Sequence, residues 1–381
     1  MTERVMKIVL VSSSFLPELG GREIYTYHLA RELERRGHDV TLVTNTSDQK
    51  PDLGGVELVR LRGFSLFLDR NRQVRQRIVF PLLRALKDKC KDADIVHAQE
   101  YGSYSTDVSA LFCKILNIPF VVTVHNPFLS NSSLFRALLL SHTKTVGHLA
   151  LRIAKKVIFV SRSIQSAFER IFGAQEKFAF VPNAVDWELF QSRCSSSRSM
   201  KENIVVSLGR SSRMKNYELL VSAMPSVIED VPDCRCLIAG PQGDYAHQLR
   251  NLAHGLGLSP SVKIIGPQVG MEKFNILSRA SVFALCSKAE AFPTTLLEAM
   301  AAGIPPVATN VGDIPQIIKD EINGFICQMN AASLARRIVD LLKDRALWNR
   351  ASDSAVRTSQ LFSWHHVADS LVRHYHHSLA V

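Results

Sequence analysis

Short apolar, β-branched runs alternate with helical stretches through the first half of the chain. The runs are KIVLVS from Lys7, DVTLVT from Asp39, VELVRL from Val56, ADIVHA from Ala93, PFVVTVH from Pro119, KVIFVS from Lys156 and FAFVPN from Phe178. Between the first two lies a helical stretch, Arg22 to Arg36, with Tyr25, Leu29, Ala30 and Leu33 on one side and Gly37 as its stop. Strand and helix in alternation predict an α/β fold with a parallel, doubly wound sheet. After residue 203 the alternation starts again: NIVVSLG, a helix Tyr217 to Glu229, CRCLIAG, a helix Asp244 to Gly255, VKIIG, SVFALCS and PPVAT. The only long Ser-rich polar interval, Gln191 to Asn203, is the expected hinge. The pattern therefore predicts a first Rossmann-like domain over 1–190 and a second over 204–360. A last amphipathic helix within 361–381, FSWHHVADSLVRHYHH, is expected to pack back on the first. Two facing sheets of this kind create one cleft lined by strand-to-helix loops, where ligands bind.

Length supports that division, because 381 residues exceed what one core usually organises. With 46% hydrophobic and 21% charged residues the chain is globular, and no apolar run approaches the roughly 18 residues of a membrane span. The N-terminus opens directly into a strand pattern without a secretory signal, so the cytoplasm is the expected compartment. Seven cysteines at 90, 113, 194, 234, 236, 286 and 327 lack C-x2-C spacing and read as reduced, mostly buried thiols. Net charge is +11 and unevenly placed: residues 60–91 carry ten Lys or Arg against two Asp, and 108–168 carry seven against no acid. Within the second stretch, residues 132–156 put Leu138, Leu139, Val146, Leu149 and Ile153 on one helical side and Arg136, Lys144 and Lys155 on the other. That pattern fits a basic helix at a membrane interface, and equally a surface helix with its apolar side in the core. The C-terminal histidines scatter around their helix, so a metal site is not expected there.

Three loops carry the candidate chemistry. In SSSFLPELGGRE, Gly20 and Gly21 open a helix, which permits close backbone approach to a phosphate; a plain turn would look the same. The pattern G-x-G-x-x-G is absent, which argues against a dinucleotide enzyme. In SLGRSSRMK, Arg210, Arg213 and Lys215 follow a strand and suit a cationic clamp on a diphosphate, solvated surface charge being the plainer alternative. In SKAEAFPTTLLEAMAAG, Pro293 suits a first helical turn, so Glu290 precedes a helix and Glu298 lies inside it. Such carboxylates suit sugar hydroxyls and a ribose diol around a phosphate at the helix start, or only local structure and surface charge.

Together these segments resemble a known family. LPELGGRE, LARELERRGHDV, ADIVH, VTVHN, VPNAVD, GRSSRMK, LIAG and the Glu290–Glu298 segment running into EAMAAGIPPV are similar, nearly end to end, to retaining glycosyltransferases of family four with the GT-B fold. The resemblance implies donor contacts at Gly20, Gly21, Arg210, Lys215, Glu290, Phe292, Pro293, Thr294 and Glu298. His125, Arg210, Lys215 and Glu290 are the residues it places at the reaction. It also implies a nucleotide diphosphate sugar as donor, with no metal and no further cofactor. Some positions depart from the family pattern: Asn183-Ala184 for Asn-Gly, Asn216 for a common Gly, Gly312-Asp313 and Gln316 where Gly-Gly and Glu often stand, and Pro293, which lacks an N–H for the donor.

Retention without a nameable far-face carboxylate points to same-face attack, with cations and helix N-termini stabilising the diphosphate. The one D-x-D, Asp92 to Asp94, opens a strand and so lies at the wrong end for this cleft. The basic first half suggests an acceptor that is a lipid or lipid-linked glycan, and a protein peripheral on the inner face of the cell membrane with an anionic surface as partner. A soluble acceptor and a sugar-nucleotide epimerase of the same architecture are the alternatives. Nucleic acid is not an expected partner, because residues 60–91 interleave only Phe64, Phe67 and Phe80 with the basic residues.

Overall fold

The computed structural model describes residues 4–18, 20–45, 51–68, 75–79, 82–125, 142, 145–194 and 202–380. Residues 132–141, 143 and 144 of the predicted amphipathic segment 132–156 lie outside them, as does most of the predicted hinge. The chain forms two compact units, Met1–Asn183 with Trp364–Val381, and Ala184–Ser363.

Unit 1 contains β1 (Lys7–Val11), β2 (Asp39–Asn45), β3 (Glu57–Leu61), β6 (Ile95–Ala98), β7 (Phe120–Val124), β8 (Lys156–Phe159) and β9 (Phe178–Phe180). They form one parallel sheet in the order β3-β2-β1-β6-β7-β8-β9, and β4 (Gly63–Leu68) pairs antiparallel with β5 (Arg75–Val79) beside it in sequence. Its helices are α1 (Gly21–Arg35), α2 (Leu82–Lys89), α3 (Tyr104–Leu116), α4 (Val146–Ile153) and α5 (Arg162–Phe172). Ile8, Val9, Leu10, Val121 and Val122 are fully buried, as strands covered on both faces require. Ser103 and Ser161 cap α3 and α5, accepting the amides of Thr106 and Ile164. Asp94 works at the opposite edge from the loops: its carboxylate receives Arg4 at 2.6 Å and the Lys7 amide at 2.8 Å, a structural role for that D-x-D.

Unit 2 holds β10 (Ile204–Leu208), β11 (Arg235–Ala239), β12 (Val262–Ile265), β13 (Val282–Leu285), β14 (Pro306–Thr309) and β15 (Phe325–Cys327), parallel in the order β12-β11-β10-β13-β14-β15. Its helices are α6 (Trp187–Cys194), α7 (Tyr217–Asp230), α8 (Gly243–Gly255), α9 (Met271–Arg279), α10 (Thr294–Ala301), α11 (Ile314–Ile317), α12 (Ala331–Lys343) and α13 (Arg345–Gln360). Leu220, Val221, Met224 and Val227 put the apolar stripe of α7 into the core. The division between units falls at Asn183/Ala184, not within 191–203. Its cause is α6: Phe190 packs on Phe274 at 5.0 Å and Gln191 donates to the Ala301 carbonyl at 2.5 Å, which fixes that helix to unit 2.

The last helix, α14 (Trp364–Ala380), belongs to unit 1. Trp364 lies against Tyr25 and His28 of α1, and Arg36 pairs with Asp369 while donating to the His365 carbonyl at 2.7 Å. Asp369, whose carboxylate also lies 3.7 Å from the His365 imidazole one turn earlier, serves as a counter-ion to arginine. Deeper, His97 of β6 bridges Tyr375 of α14 at 2.6 Å and Thr123 of β7 at 2.7 Å.

Burial pushes the His97 imidazole down to about 3, well below the ordinary histidine value. The unfolded chain therefore takes up a proton near pH 6.5 that the folded chain refuses, so this site's stability is full above that pH and is lost as pH falls toward 3. Denaturant titrations of wild type between pH 6.5 and 4 should fall by about 1.4 kcal/mol per pH unit more steeply than those of His97→Gln, with equal slopes counting against the assignment.

Candidate functional site

In each unit the strand order reverses next to the first strand, between β1 and β6 in unit 1 and between β10 and β13 in unit 2. Loops leaving such a switch point diverge and leave a crevice at the carboxyl ends of the strands. The sequence-predicted residues fall on those loops or next to them.

In unit 2, Lys215 ends a short 3-10 turn (Arg213–Lys215) after β10, and Glu290 stands in the loop after β13. Lys215 Nζ is 2.6 Å from Glu290 Oε1, and the Ser287 hydroxyl donates to that same oxygen at 2.6 Å. The Lys288 amide adds a bond to the Met214 carbonyl at 2.8 Å, so backbone and side chains both tie the two loops. Asn216, where the family often has Gly, adopts φ +52°; asparagine tolerates this left-handed region, and the departure is absorbed. Arg210 is exposed just past β10. Arg213 donates to Gln248 at 2.5 Å, stacks over Tyr245 and lies 3.5 Å from Glu218. Of the three predicted cations, Lys215 is thus joined to Glu290, Arg210 is exposed and Arg213 lies against α7 and α8.

Pro293 is the residue before α10, and no side chain caps that helix. Thr294 opens it, half-buried, while Phe292 is buried against Phe362 with ring centroids 5.4 Å apart. Glu298 sits within α10, and its Oε1 meets Lys273 of α9 at 2.8 Å. Its Oε2 is buried without a hydrogen-bond partner. Lys273 lies 5.4 Å from the Phe190 ring centroid. One carboxylate oxygen is thus anchored and the other is buried and unsatisfied. Lys273 was invisible to sequence reasoning, since 25 residues separate it from Glu298. Lys273→Met should strand a mostly buried carboxylate and weaken nucleotide binding by about tenfold, with Lys273→Arg recovering part of it in titration calorimetry.

Two glycines lock this site. Gly240 has φ +123° and a Cβ there would stand 1.6 Å from the Gly209 carbonyl oxygen; Gly312 has φ +55° and its Cβ would stand 1.7 Å from that of Glu290. Only glycine lets these loops touch.

In unit 1, Gly20 precedes α1 and Gly21 begins it. A Cβ on Gly20 would meet the Glu23 carboxylate, whereas nothing lies within 4 Å of one on Gly21. The loop's neighbour is an internal network that the sequence reading passed over, although its residues stand in the same LPELGGRE run and in HAQE. Arg22 is clasped by Glu100, Ser14 and Glu23, and the Ser13 amide donates to Glu100 at 3.0 Å. Burial opposes ionisation of Glu23, yet Arg22 and Ser14 outweigh it and hold the carboxyl below its usual range. His125 ends β7. Its ring meets the Tyr25 edge at 4.7 Å, and its Nε2 is buried without a hydrogen-bond partner in a residue that is half-buried as a whole. Burial, then Arg22 and His97, push it down to about 3, so the imidazole is neutral at physiological pH. A neutral imidazole with an unpaired nitrogen can take or give one hydrogen bond to a hydroxyl.

Two Rossmann-like units of this build define the GT-B class of glycosyltransferases. The match to known families makes the assignment specific: residues 19–189 fit the model described as Glycosyltransferase Family 4, and 191–357 fit Glycosyl transferases group 1. The chain belongs to the family-four glycosyltransferases. It is 27% identical to an uncharacterised glycosyltransferase, MJ1607, of Methanocaldococcus jannaschii, over 97% of this chain and 98% of that one. It is 24% identical to the phosphatidylinositol N-acetylglucosaminyltransferase GPI3 subunit of Saccharomyces cerevisiae, over 97% and 82%, and 23% identical to the N-acetyl-alpha-D-glucosaminyl L-malate synthase of Bacillus anthracis, over 89% of each. The crystal structure of Anabaena Alr3699/HepE with UDP and glucose superposes with a TM-score of 0.75 at 20% identity, covering 97% and 98%, a likeness of fold.

Proposed function

We propose that the chain transfers a sugar from a nucleoside diphosphate sugar to a lipid or lipid-linked glycan, with retention at the anomeric carbon. The observation that carries the donor half is the Lys215–Glu290 pair at the switch point of unit 2, near Glu298 with its one unsatisfied oxygen. A diphosphate is a stronger partner for Lys215 than one carboxylate, and Arg210 adds a second cation. Once Lys215 turns to phosphate, Glu290 is released to accept sugar hydroxyls, and Glu298 Oε2 accepts from the ribose diol. Charge developing on the leaving diphosphate is stabilised by these cations, without a metal in that role. The acceptor hydroxyl attacks from the face the diphosphate leaves, and the departing phosphate takes its proton. His125 orients a hydroxyl through Nε2.

A lipid acceptor is supported by the acid-free basic stretch 108–168 and by the phosphatidylinositol-directed relative; the malate-directed relative keeps a soluble acceptor as the alternative. Among the described residues no helix is long and apolar enough to cross a membrane, so access to a lipid would be peripheral. Product analysis of donor incubated with and without acceptor tests the reading. Sugar should move only when acceptor is present; a donor converted to its epimer without acceptor, or a trapped glycosyl-enzyme, contradicts it.

A further inference from the structure

Helices α3 and α4 pack on each other in unit 1, and their polarity is inverted relative to an ordinary surface helix. The buried side of α3 is built from Ser105, Thr106, Ser109, Ala110 and Cys113, while Leu111, Ile115 and Leu116 point outward at 50%, 72% and 48% exposure. Likewise α4 buries Gly147, Ala150 and Leu151 and exposes Val146 and Leu149. Single exposed aliphatics are common, but five on two touching helices form a patch that needs an occupant. At one end of the patch is a cavity of about 590 Å³, lined by Lys114, Arg152 and Lys155 together with Leu149, Ile153 and Leu379. Pro119 and Lys155, which precede β7 and β8, also line or flank it, so it lies at the sheet edge opposite His125 and the candidate site. The sequence contributes no acid from 108 to 168, and the one acid on α3, Asp107, is held by His142 at 2.7 Å. Aliphatic side chains beside cations that no acid within residues 108–168 opposes match one surface: anionic phosphate headgroups above acyl chains.

We propose that the α3–α4 face is the docking surface of this protein on an anionic phospholipid bilayer. Leu111, Ile115, Leu116, Val146 and Leu149 enter the interfacial layer, and Lys114, Arg152 and Lys155 seat a lipid phosphate in the cavity. Helix α3 begins four residues after Glu100 and runs about 20 Å, so a bilayer lying along it reaches from the cavity to the loop edge of unit 1. The inference rests on the lipid-acceptor reading but uses residues outside the candidate site, so the two can fail separately.

The test is flotation of the full chain with phosphatidylglycerol-rich vesicles and with pure phosphatidylcholine vesicles. Wild type should float with the former only, and added inorganic phosphate, as distinct from raised ionic strength, should not release it. The exposed pair Ile115→Ser/Leu149→Ser and the triple variant Lys114→Gln/Arg152→Gln/Lys155→Gln should each lose binding, the latter by on the order of 10²-fold. Melting temperature and nucleoside diphosphate affinity should stay at wild-type values. Variants that float like wild type overturn the assignment of this face. A wild type that stays in the soluble fraction overturns docking altogether, as would self-association abolished by Ile115→Ser without any vesicle binding.

Discussion

Lys215→Ala is expected to lower glycosyl transfer by on the order of 10²–10³-fold, the loss typical of removing one preorganised donor to a developing negative charge. The lysine also balances Glu290, whose carboxylate is mostly buried, so the variant loses stability too, by about 1–3 kcal/mol. Ser287 still donates to Glu290 and limits that cost. Two measurements separate the effects: melting temperature reports the lost pair, and transfer assayed well below melting reports the chemistry. Lys215→Arg keeps the charge but places it differently, and should fall between alanine and wild type. Wild-type turnover in a folded Lys215→Ala would remove the lysine from the reaction.

The second large effect is expected at a residue with no side chain. Gly312→Ala would need a left-handed backbone at φ +55° and would drive a methyl to 1.7 Å from the Glu290 carbonyl oxygen. The strain alone costs about 1–2 kcal/mol, and the clash must be relieved by moving the loop that carries Glu290. Transfer should fall with stability, and more steeply, because displacement of an ångström at a catalytic loop costs on the order of 10²-fold. Gly21→Ala is the natural control for stability, since nothing lies within 4 Å of the added carbon. Equal melting temperatures for the two variants would show that the close approach at Gly312 is not what holds Glu290.

Strand runs such as KIVLVS and NIVVSLG were legible because burial on both faces demands unbroken β-branched sequence, and those runs became β1 and β10. The predicted helix Arg22–Arg36 formed as Gly21–Arg35, with Gly37 in the left-handed region just beyond it. Short β15 and the antiparallel β4–β5 pair gave no such signal. The compact units divide ahead of the expected boundary for a different reason: a Ser-rich interval looks like a linker, whereas the packing of Phe190 that commits α6 to unit 2 is a contact across 84 residues of sequence. At the candidate site, Glu290, Glu298 and Lys215 were readable from local motifs. Their partners were not. Lys273 beside Glu298, Glu100 beside Arg22 and Tyr375 beside His97 are joined only by folding, over 25, 78 and 278 positions. Arg213 shows the converse, since nearness in sequence to Lys215 suggested a shared role while its side chain bonds Gln248.

On the proposed function, unit 2 grips a nucleoside diphosphate, with Arg210 and Lys215 on the phosphates and Glu298 on the ribose. Titration calorimetry of nucleoside diphosphates against wild type, Lys215→Ala and Glu298→Gln tests it directly, with the 2′,3′-dideoxy nucleotide as a fourth arm. The account predicts one site, weaker binding in both variants, and a double-mutant cycle in which the dideoxy ligand loses nothing further in Glu298→Gln. Affinity unchanged by Lys215→Ala, or a dideoxy penalty that persists undiminished in Glu298→Gln, would contradict it.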